Sequence, residues 1–245
     1  MQTEELAIVI PCYNEANRLP LFQFRDFLPS NLSVDILFVN DGSKDKTKGV
    51  LSDLRDQFPD QIEVLNLVKN KGKSHAVYEG VCKVLEKNRY QKVAYLDADL
   101  ATSLEECLRL SQFVKDGIVL AFGSRILKLD NQIKRKWYRF FLGRLVATAI
   151  SRALRLSIYD SQCGCKIFDI PTAKKVFDQP FISKWLFDVE IFFRMIDLFG
   201  RKEIQNHLIE VPLKAWVDTP DSRVNPLYFF KLWWDLFKIA KKYKH

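Results

Sequence analysis

The sequence predicts an α/β protein built on a mostly parallel sheet, and three observations carry that prediction. Short apolar runs alternate with segments whose apolar residues recur at helical spacing, the pattern of βαβ units. The runs are apolar throughout rather than at alternate positions, as in strands covered on both faces. Acidic and polar residues collect just after the runs, at Glu15, Asp41, Lys71 to Lys73, Asp97 and Asp99. Ligand sites of open α/β sheets lie beyond the carboxyl ends of the strands.

In chain order, Leu6 to Ile10 is the first buried strand, expected to end at Pro11, with Cys12-Tyr13-Asn14-Glu15 as a loop. Leu19 to Leu28 has helical spacing. Val34 to Val39 is the second strand and runs into Asn40-Asp41-Gly42-Ser43. Gly42 permits a tight turn there, and Ser43 or Asp45 can cap a helix from Thr47 to Phe58. Ile62 to Val68 is the third strand, and Asn70-Lys71-Gly72-Lys73 leads into a helix from Ser74 to Asn88. The fourth strand, Val93-Ala94-Tyr95-Leu96, runs straight into Asp97-Ala98-Asp99. Two bare carboxylates one residue apart raise each other's pKa. The same pair suits a hard divalent cation, because Mg²⁺ typically takes one or two carboxylates plus substrate phosphates. Neither a Rossmann dinucleotide fingerprint nor a P-loop is present, so those nucleotide sites are not expected.

Composition narrows the class. Of 245 residues, 48% are hydrophobic and 28% charged, as in a folded soluble protein with one sizeable core. Five cysteines without a CxxC pair argue against a disulfide framework or zinc site and for a reducing compartment. Met1 to Glu5 lacks the basic start of a signal peptide, and no stretch reaches the ~18 uncharged apolar residues of a spanning helix. The net charge of +8 is concentrated in Lys128 to Arg155, which holds eight basic residues and one acid, Asp130. There Trp137, Phe141, Leu145, Ala149 and Ala153 recur every four residues, with Arg144, Ser151 and Arg155 on another face. The tail from Leu227 adds Phe229, Phe230, Trp233, Trp234 and Phe237 among five lysines. Such basic, aromatic helices suit an anionic membrane surface. The expected location is therefore cytoplasmic, peripheral on the cytoplasmic face of the membrane. Basic and aromatic residues also suit single-stranded nucleic acid, but Asp41, Asp97 and Asp99 would repel its phosphates, so no nucleic-acid partner is expected. The expected organisation is a catalytic unit over residues 1–225, including a basic amphipathic segment at 128–158, followed by a basic aromatic helix at 226–245.

Four motifs now stand in order: Ile8-Val9-Ile10-Pro11-Cys12-Tyr13-Asn14-Glu15, Val39-Asn40-Asp41-Gly42-Ser43, Asn70-Lys71-Gly72-Lys73 and Asp97-Ala98-Asp99. In order and spacing they resemble the inverting glycosyltransferases of family 2, which have the GT-A fold. Phe122-Gly123-Ser124-Arg125, Asp160-Ser161-Gln162-Cys163-Gly164-Cys165-Lys166, Trp185-Leu186-Phe187-Asp188-Val189-Glu190 and Glu210-Val211-Pro212 resemble the branch acting on polyprenyl phosphates, especially the dolichyl-phosphate glucosyltransferases. The resemblance covers essentially residues 5–225. Eukaryotic members usually carry an N-terminal membrane anchor that this sequence lacks, which fits a prokaryotic enzyme.

The resemblance implies transfer of a hexose, glucose from UDP-glucose above all, to a polyprenyl phosphate with inversion, using Mg²⁺ or Mn²⁺. Pro11, Tyr13, Glu15, Asp41, Lys71, Lys73, Asp97 and Ala98 would line the nucleotide, and Asp97 and Asp99 would hold the metal. Ala101 stands where relatives often offer a glutamine, so water would complete the coordination. Asp99, Arg125 and Asp188 are the expected catalytic residues. Arg125, with Arg135 and Arg139 as further candidates, would clamp the acceptor phosphate, since an arginine fork binds phosphate bidentately. Asp160, Gln162 and Trp185 would lie near the sugar, and Arg223 in a loop that closes over the diphosphate. Gly164 would allow a tight backbone, and Cys163 and Cys165 would be buried small side chains. Of Asp188 and Glu190, two apart on a helix, one is expected to face inward, with Asp188 favoured. A homo-oligomer is compatible with the resemblance. The alternative within the family is a transferase acting on a saccharide hydroxyl, with Asp188 or Glu190 as the catalytic base.

Overall fold

The computed structural model describes residues 5–126, 132–134, 137–217 and 228–243, with side chains except at 132–145 and 228–230. The first half alternates as expected: β1 (Leu6–Cys12), α1 (Leu21–Phe27), β2 (Val34–Asp41), α2 (Thr47–Gln57), β3 (Ile62–Leu67), α3 (Lys73–Glu86) and β4 (Lys92–Leu96). There follow α4 (Leu104–Ser111), β5 (Leu120–Ser124), β6 (Gln132–Lys134), α5 (Trp137–Leu154), β7 (Cys165–Asp169), α6 (Ile170–Val176) and α7 (Phe187–Phe199). The chain closes with β8 (Leu208–Pro212), β9 (Ala215–Val217) and α8 (Tyr228–Lys242).

Among the described residues the strands form a seven-stranded sheet in the order β3-β2-β1-β4-β7-β5-β8, with β6 and β9 paired apart from it. All neighbours in the large sheet are parallel except β7, which runs antiparallel to both β4 and β5. That reversal matters for the site. The start of β7 lies at the same edge as the ends of the parallel strands, so the Asp160–Gly164 loop arrives beside Asp97.

Some boundaries differ from the sequence expectation. β1 runs through Pro11, which pairs with Val39. β4 pairs with β1 only as far as Val9, so Pro11 has a strand neighbour on one side alone, where a missing N–H is tolerated. The helix expected from Leu19 to Leu28 ends at Phe27 and tightens into a 3₁₀ turn over Leu28–Ser30, because Pro29 cannot continue an α-helical ladder. Asp45, not Ser43, serves the start of α2, accepting from the Thr47 N–H at 3.0 Å. Ser43 instead accepts from the Asn14 N–H at 3.0 Å, tying the first two strand-end loops together.

Strand parity divides the core into two layers. Leu6, Ile8, Ile10, Ile36, Phe38, Ala94 and Leu96 pack beneath α1, α2 and α4. Val9, Leu37, Val39, Val93 and Tyr95 face α3, α5, α6, α7 and α8. Every residue of α7 from Phe187 to Ile196 is buried, the charged Asp188, Glu190 and Arg194 included. This corrects the expectation that one of Asp188 and Glu190 would face outward, since both are enclosed. Glu190 is satisfied by the Ile182 N–H at 2.7 Å, Arg194 at 2.8 Å and the Tyr243 hydroxyl at 2.9 Å.

The membrane-facing reading of 128–158 meets a second finding. In the described half of α5, Ile150 and Leu154 are buried, with Val146, Ala149 and Ala153 packed beside them on the protein's own core. Arg152 and Arg155 remain exposed. The apolar stripe there is consumed by tertiary packing. Among the described residues no helix is long and apolar enough to cross a membrane.

Candidate active site

Each strand of the first half delivers a polar group to the carboxyl edge of the sheet. After β1, Asn14 sits at φ 51°, a left-handed conformation that asparagine tolerates. Its side chain accepts from the Lys44 N–H at 2.9 Å, while the Glu15 N–H donates to Thr47 Oγ1 at 2.8 Å. Tyr13 and Glu15 are half-buried in this loop. After β2, the buried Asp41 carboxylate accepts from the Lys71 and Gly72 N–H groups at 3.0 and 2.8 Å. Asp41 therefore shapes the Asn70–Lys73 loop, and Lys71 extends outward from that loop. Gly42 allows the close approach. Its φ is +61°, and a Cβ there would stand 2.6 Å from the Asn70 nitrogen.

Asp97 and Asp99 follow β4, with Ala98 buried between them. Lys73, at the start of α3, forms an ion pair with Asp97. The Asp97 side chain is 42% accessible, so it reaches solvent at the carboxyl edge of the sheet even though protein crowds its carboxyl. Burial pushes that carboxyl's pKa up, Lys73 opposes the shift, and Asp99 adds to it, leaving a net rise. The Lys73 ammonium is itself raised: burial works against it, but Asp97, Asp188 and Asp99 prevail. The rise at Lys73 reflects the negative charge that Asp97, Asp188 and Asp99 place around it. Asp99 accepts from the Ala101 N–H at 3.1 Å.

The chemistry of these donors fits a divalent cation. Asp97 and Asp99 supply hard oxygens. Among the described residues no group of three or more His, Cys, Asp or Glu side chains could hold a metal. A cation here would thus draw its remaining ligands from diphosphate oxygens and water, as Mg²⁺ commonly does.

Gly164 sets the position of Asp97. A Cβ at Gly164 would lie 2.0 Å from Asp97 Oδ2 and 2.4 Å from its Cγ, so only glycine lets the carboxylate rest there. Gly164→Ala is expected to cut turnover about a hundredfold with the fold retained, the usual cost of displacing a reacting constellation by about 1 Å. Steady-state kinetics beside a thermal melt would measure it; near-normal kcat would remove Asp97 from the site.

A second group lies behind the first. Tyr95 and Lys166 are cross-strand neighbours on β4 and β7 and point to the same face. There both reach Asp188 on α7: the Tyr95 hydroxyl and Lys166 Nζ each donate to Asp188 Oδ1 at 2.5 Å. Lys166 is fully buried and donates also to the Cys163 carbonyl at 2.8 Å. Burial and the Asp188 charge push the Tyr95 hydroxyl well above its ordinary pKa, so it stays a donor. Sequence reasoning singled out Asp188 but missed Lys166 and Tyr95 as its partners. The signal was present: a lysine inside the apolar run Cys165-Lys166-Ile167-Phe168 needs a buried acid.

The third group carries Arg125 at the end of β5. Its Nε and Nη2 bind Asp160 bidentately at 2.6 and 2.8 Å, and its N–H donates to the same carboxylate at 3.1 Å. Its guanidinium lies 5.3 Å from the Trp216 ring centre. Burial alone would raise the Asp160 pKa, but Arg125 more than offsets it and holds the carboxyl below its ordinary value. Glu210 on β8 fixes this loop, accepting from the Asp160 and Tyr159 N–H groups at 2.7 and 2.9 Å. Arg125 is thus anchored by its own acid, and its Nη1 meets no acceptor among the described residues. Nearby in sequence, Ser124 Oγ, Ser161 Oγ and Gln162 Nε2 are buried with no hydrogen-bond partner among the described residues. Buried polar atoms are seldom left so, and these three carry hydrogen-bonding capacity that the described protein does not use.

Cys163 and Cys165 are buried free thiols. Burial and then Asp160 push the Cys163 thiol up to about 11, in keeping with a buried thiol that stays protonated. Trp185 precedes α7 and is 40% exposed, with its N–H donating to Ser183 Oγ at 3.3 Å. Arg135 and Arg223, and the side chain of Arg139, lie outside the described residues.

Residues 7–177 match the family model described as Glycosyl transferase family 2. The chain belongs to that family. This glycosyltransferase is 30% identical over 258 residues to a dolichyl-phosphate beta-glucosyltransferase of Drosophila melanogaster, covering 98% of this chain and 75% of that protein. It is 32% identical over 248 residues to one of Trichomonas vaginalis, covering 96% and 72% respectively. Among solved structures, mannosyl-3-phosphoglycerate synthase from Rubrobacter xylanophilus superposes with a TM-score of 0.70 at 15% identity, over 98% of this chain and 73% of that one. Glucosyl-3-phosphoglycerate synthase from Mycobacterium tuberculosis, in complex with Mn²⁺, UDP and glucosyl-3-phosphoglycerate, superposes at 0.67 with 14% identity, over 97% and 80%. The expected GT-A fold is the observed one.

Proposed function

We propose that this family 2 glycosyltransferase transfers glucose from UDP-glucose to a polyprenyl phosphate at a membrane surface, with inversion and with Mg²⁺ or Mn²⁺. The names of its relatives support the sugar and the lipid-phosphate class, and the synthase complex with Mn²⁺ and UDP supports the metal and base. Pro11, Tyr13, Glu15, Asp41 and Lys71 border the base and ribose. Asp97 and Asp99 would hold the cation, which supplies charge neutralisation to the departing diphosphate. Trp185 offers an apolar face to the sugar, and Arg125 Nη1, with Gln162, offers donors to the acceptor phosphate.

The acceptor needs little help. A phosphate monoester has a second pKa near ~6 and is largely a dianion at neutral pH. One of its oxygens bonds to the anomeric carbon, the bond from that carbon to the donor's diphosphate oxygen breaks, and UDP leaves with the electron pair. No proton moves, so no protein base is required. The observation that carries this reading over a saccharide hydroxyl acceptor is the condition of Asp188. Its Oδ1 already accepts from a buried ammonium and a phenol, the arrangement of a positioning group rather than of a base waiting for a hydroxyl proton.

The test supplies radiolabelled UDP-glucose with either polyprenyl phosphate or free saccharides, with and without a chelator. Label should enter the lipid fraction only with the phosphate acceptor, and chelation should abolish it. Label appearing on a saccharide, or transfer unchanged by chelator, would overturn the reading.

A further inference from the structure

α8 has two unlike faces. On one, Asp235, Leu236, Ile239 and Tyr243 are buried against the body of the protein. On the other, Trp233, Trp234 and Phe237 are 41%, 58% and 56% exposed. Trp234 and Phe237 stack with ring centres 5.9 Å apart. Lys231, Lys238, Lys241 and Lys242 are exposed along the same side, and Lys238 Nζ stands 5.4 Å from the Trp234 ring centre. Asp235, the one acid of α8, faces inward and accepts from Ser183 Oγ at 2.8 Å. The outward face therefore joins large aromatics to four ammonium groups with no carboxylate of its own helix among them.

We propose that this face of α8 is the docking surface for an anionic lipid bilayer. The helix lies in the interface plane, with Trp234 and Phe237 at the headgroup–acyl boundary and the lysines among the headgroup phosphates. Charge selects the occupant: amphipathic tryptophan rings bordered by lysine are suited to an anionic interface, and each lysine near such a surface adds attraction that salt screens. A second copy of the chain would bring the same four positive charges against these. The buried face gives docking a consequence for the site. Ser183, held by Asp235, also accepts from the Leu186 N–H at 3.0 Å, so the segment carrying Trp185 is tied to α8. A bilayer gripped by α8 is fixed relative to the crevice mouth, where a lipid-borne phosphate must arrive. The proposal rests on the lipid-acceptor reading for its purpose, but not for its chemistry.

The experiment measures partition of the full-length protein onto phosphatidylcholine vesicles with and without about 30 mol% phosphatidylglycerol, by flotation and by the blue shift of tryptophan emission. Binding should require the anionic lipid and weaken with salt. Lys238→Gln/Lys241→Gln should weaken it about thirtyfold, and Trp234→Gln/Phe237→Gln at least about tenfold. Transfer to a short, water-soluble polyprenyl phosphate should be unchanged in both, while transfer to acceptor embedded in anionic vesicles should fall. Undiminished vesicle binding by both variants would overturn the proposal. So would a wild-type dimer in sedimentation that Trp234→Gln/Phe237→Gln dissociates, since the face would then be a self-association surface. Partition as expected without transfer to any polyprenyl phosphate would sink the acceptor reading and leave the docking surface standing.

Discussion

Asp99→Asn is expected to lower kcat at least about a thousandfold while the protein stays folded. A cation at the departing diphosphate supplies several kcal/mol of charge stabilisation, and about 1.4 kcal/mol corresponds to tenfold in rate. Asp99 is half-buried and accepts from the Ala101 N–H at 3.1 Å, a bond that an asparagine oxygen can also accept. The substitution thus removes charge and keeps the local turn. The loss should appear in turnover and in Mn²⁺ uptake by the UDP-bound enzyme, with no matching drop in melting temperature. An Asp99→Asn enzyme with wild-type turnover would show that the metal, if used, is held elsewhere.

Lys166→Met is expected to be the most damaging change to stability, about 3–5 kcal/mol, because it leaves Asp188 as a buried charge without its ammonium. The carboxylate would keep the Tyr95 hydroxyl at 2.5 Å, which cannot supply a compensating charge. Adding Asp188→Leu should recover most of the loss, since apolar replacement of a whole buried pair is often neutral. Urea unfolding of both variants would measure this. A double variant no more stable than the single one would mean that Lys166 acts through packing alone. Activity should not return with stability in the double variant if Asp188 positions the substrate.

The carboxyl edge of the sheet was largely legible in the sequence. Asp41, Asp97 and Asp99 follow continuous apolar runs, and local periodicity suffices to put them at strand ends. Gly164 was legible as a tight spot, though not as the cradle of Asp97, because that contact joins residues 67 positions apart. The partners of Arg125 and Asp188 were not legible. Each faces a residue from a distant segment, Asp160 and Lys166 respectively, and no local pattern announces which acid meets which base. Helical spacing misread Glu190, because it reports relative faces and not how many neighbours surround a helix. α7 is enclosed by the sheet, α5, α6 and α8, so both of its early acids went inside with cations to match.

Taken alone, the sequence determined the strand–helix alternation, the acids at the strand ends and the family, because these follow from periodicity and short motifs along the chain. Tertiary structure decided what those residues do for one another. The reversed β7 brought Gly164 against Asp97 and Lys166 to Asp188, and packing turned Ala149 and Ala153 of α5 toward the core while leaving Trp233, Trp234 and Phe237 of α8 outside. The reason is physical: a side chain's charge state and exposure depend on which distant residues share its surroundings, and only the folded chain brings those residues together.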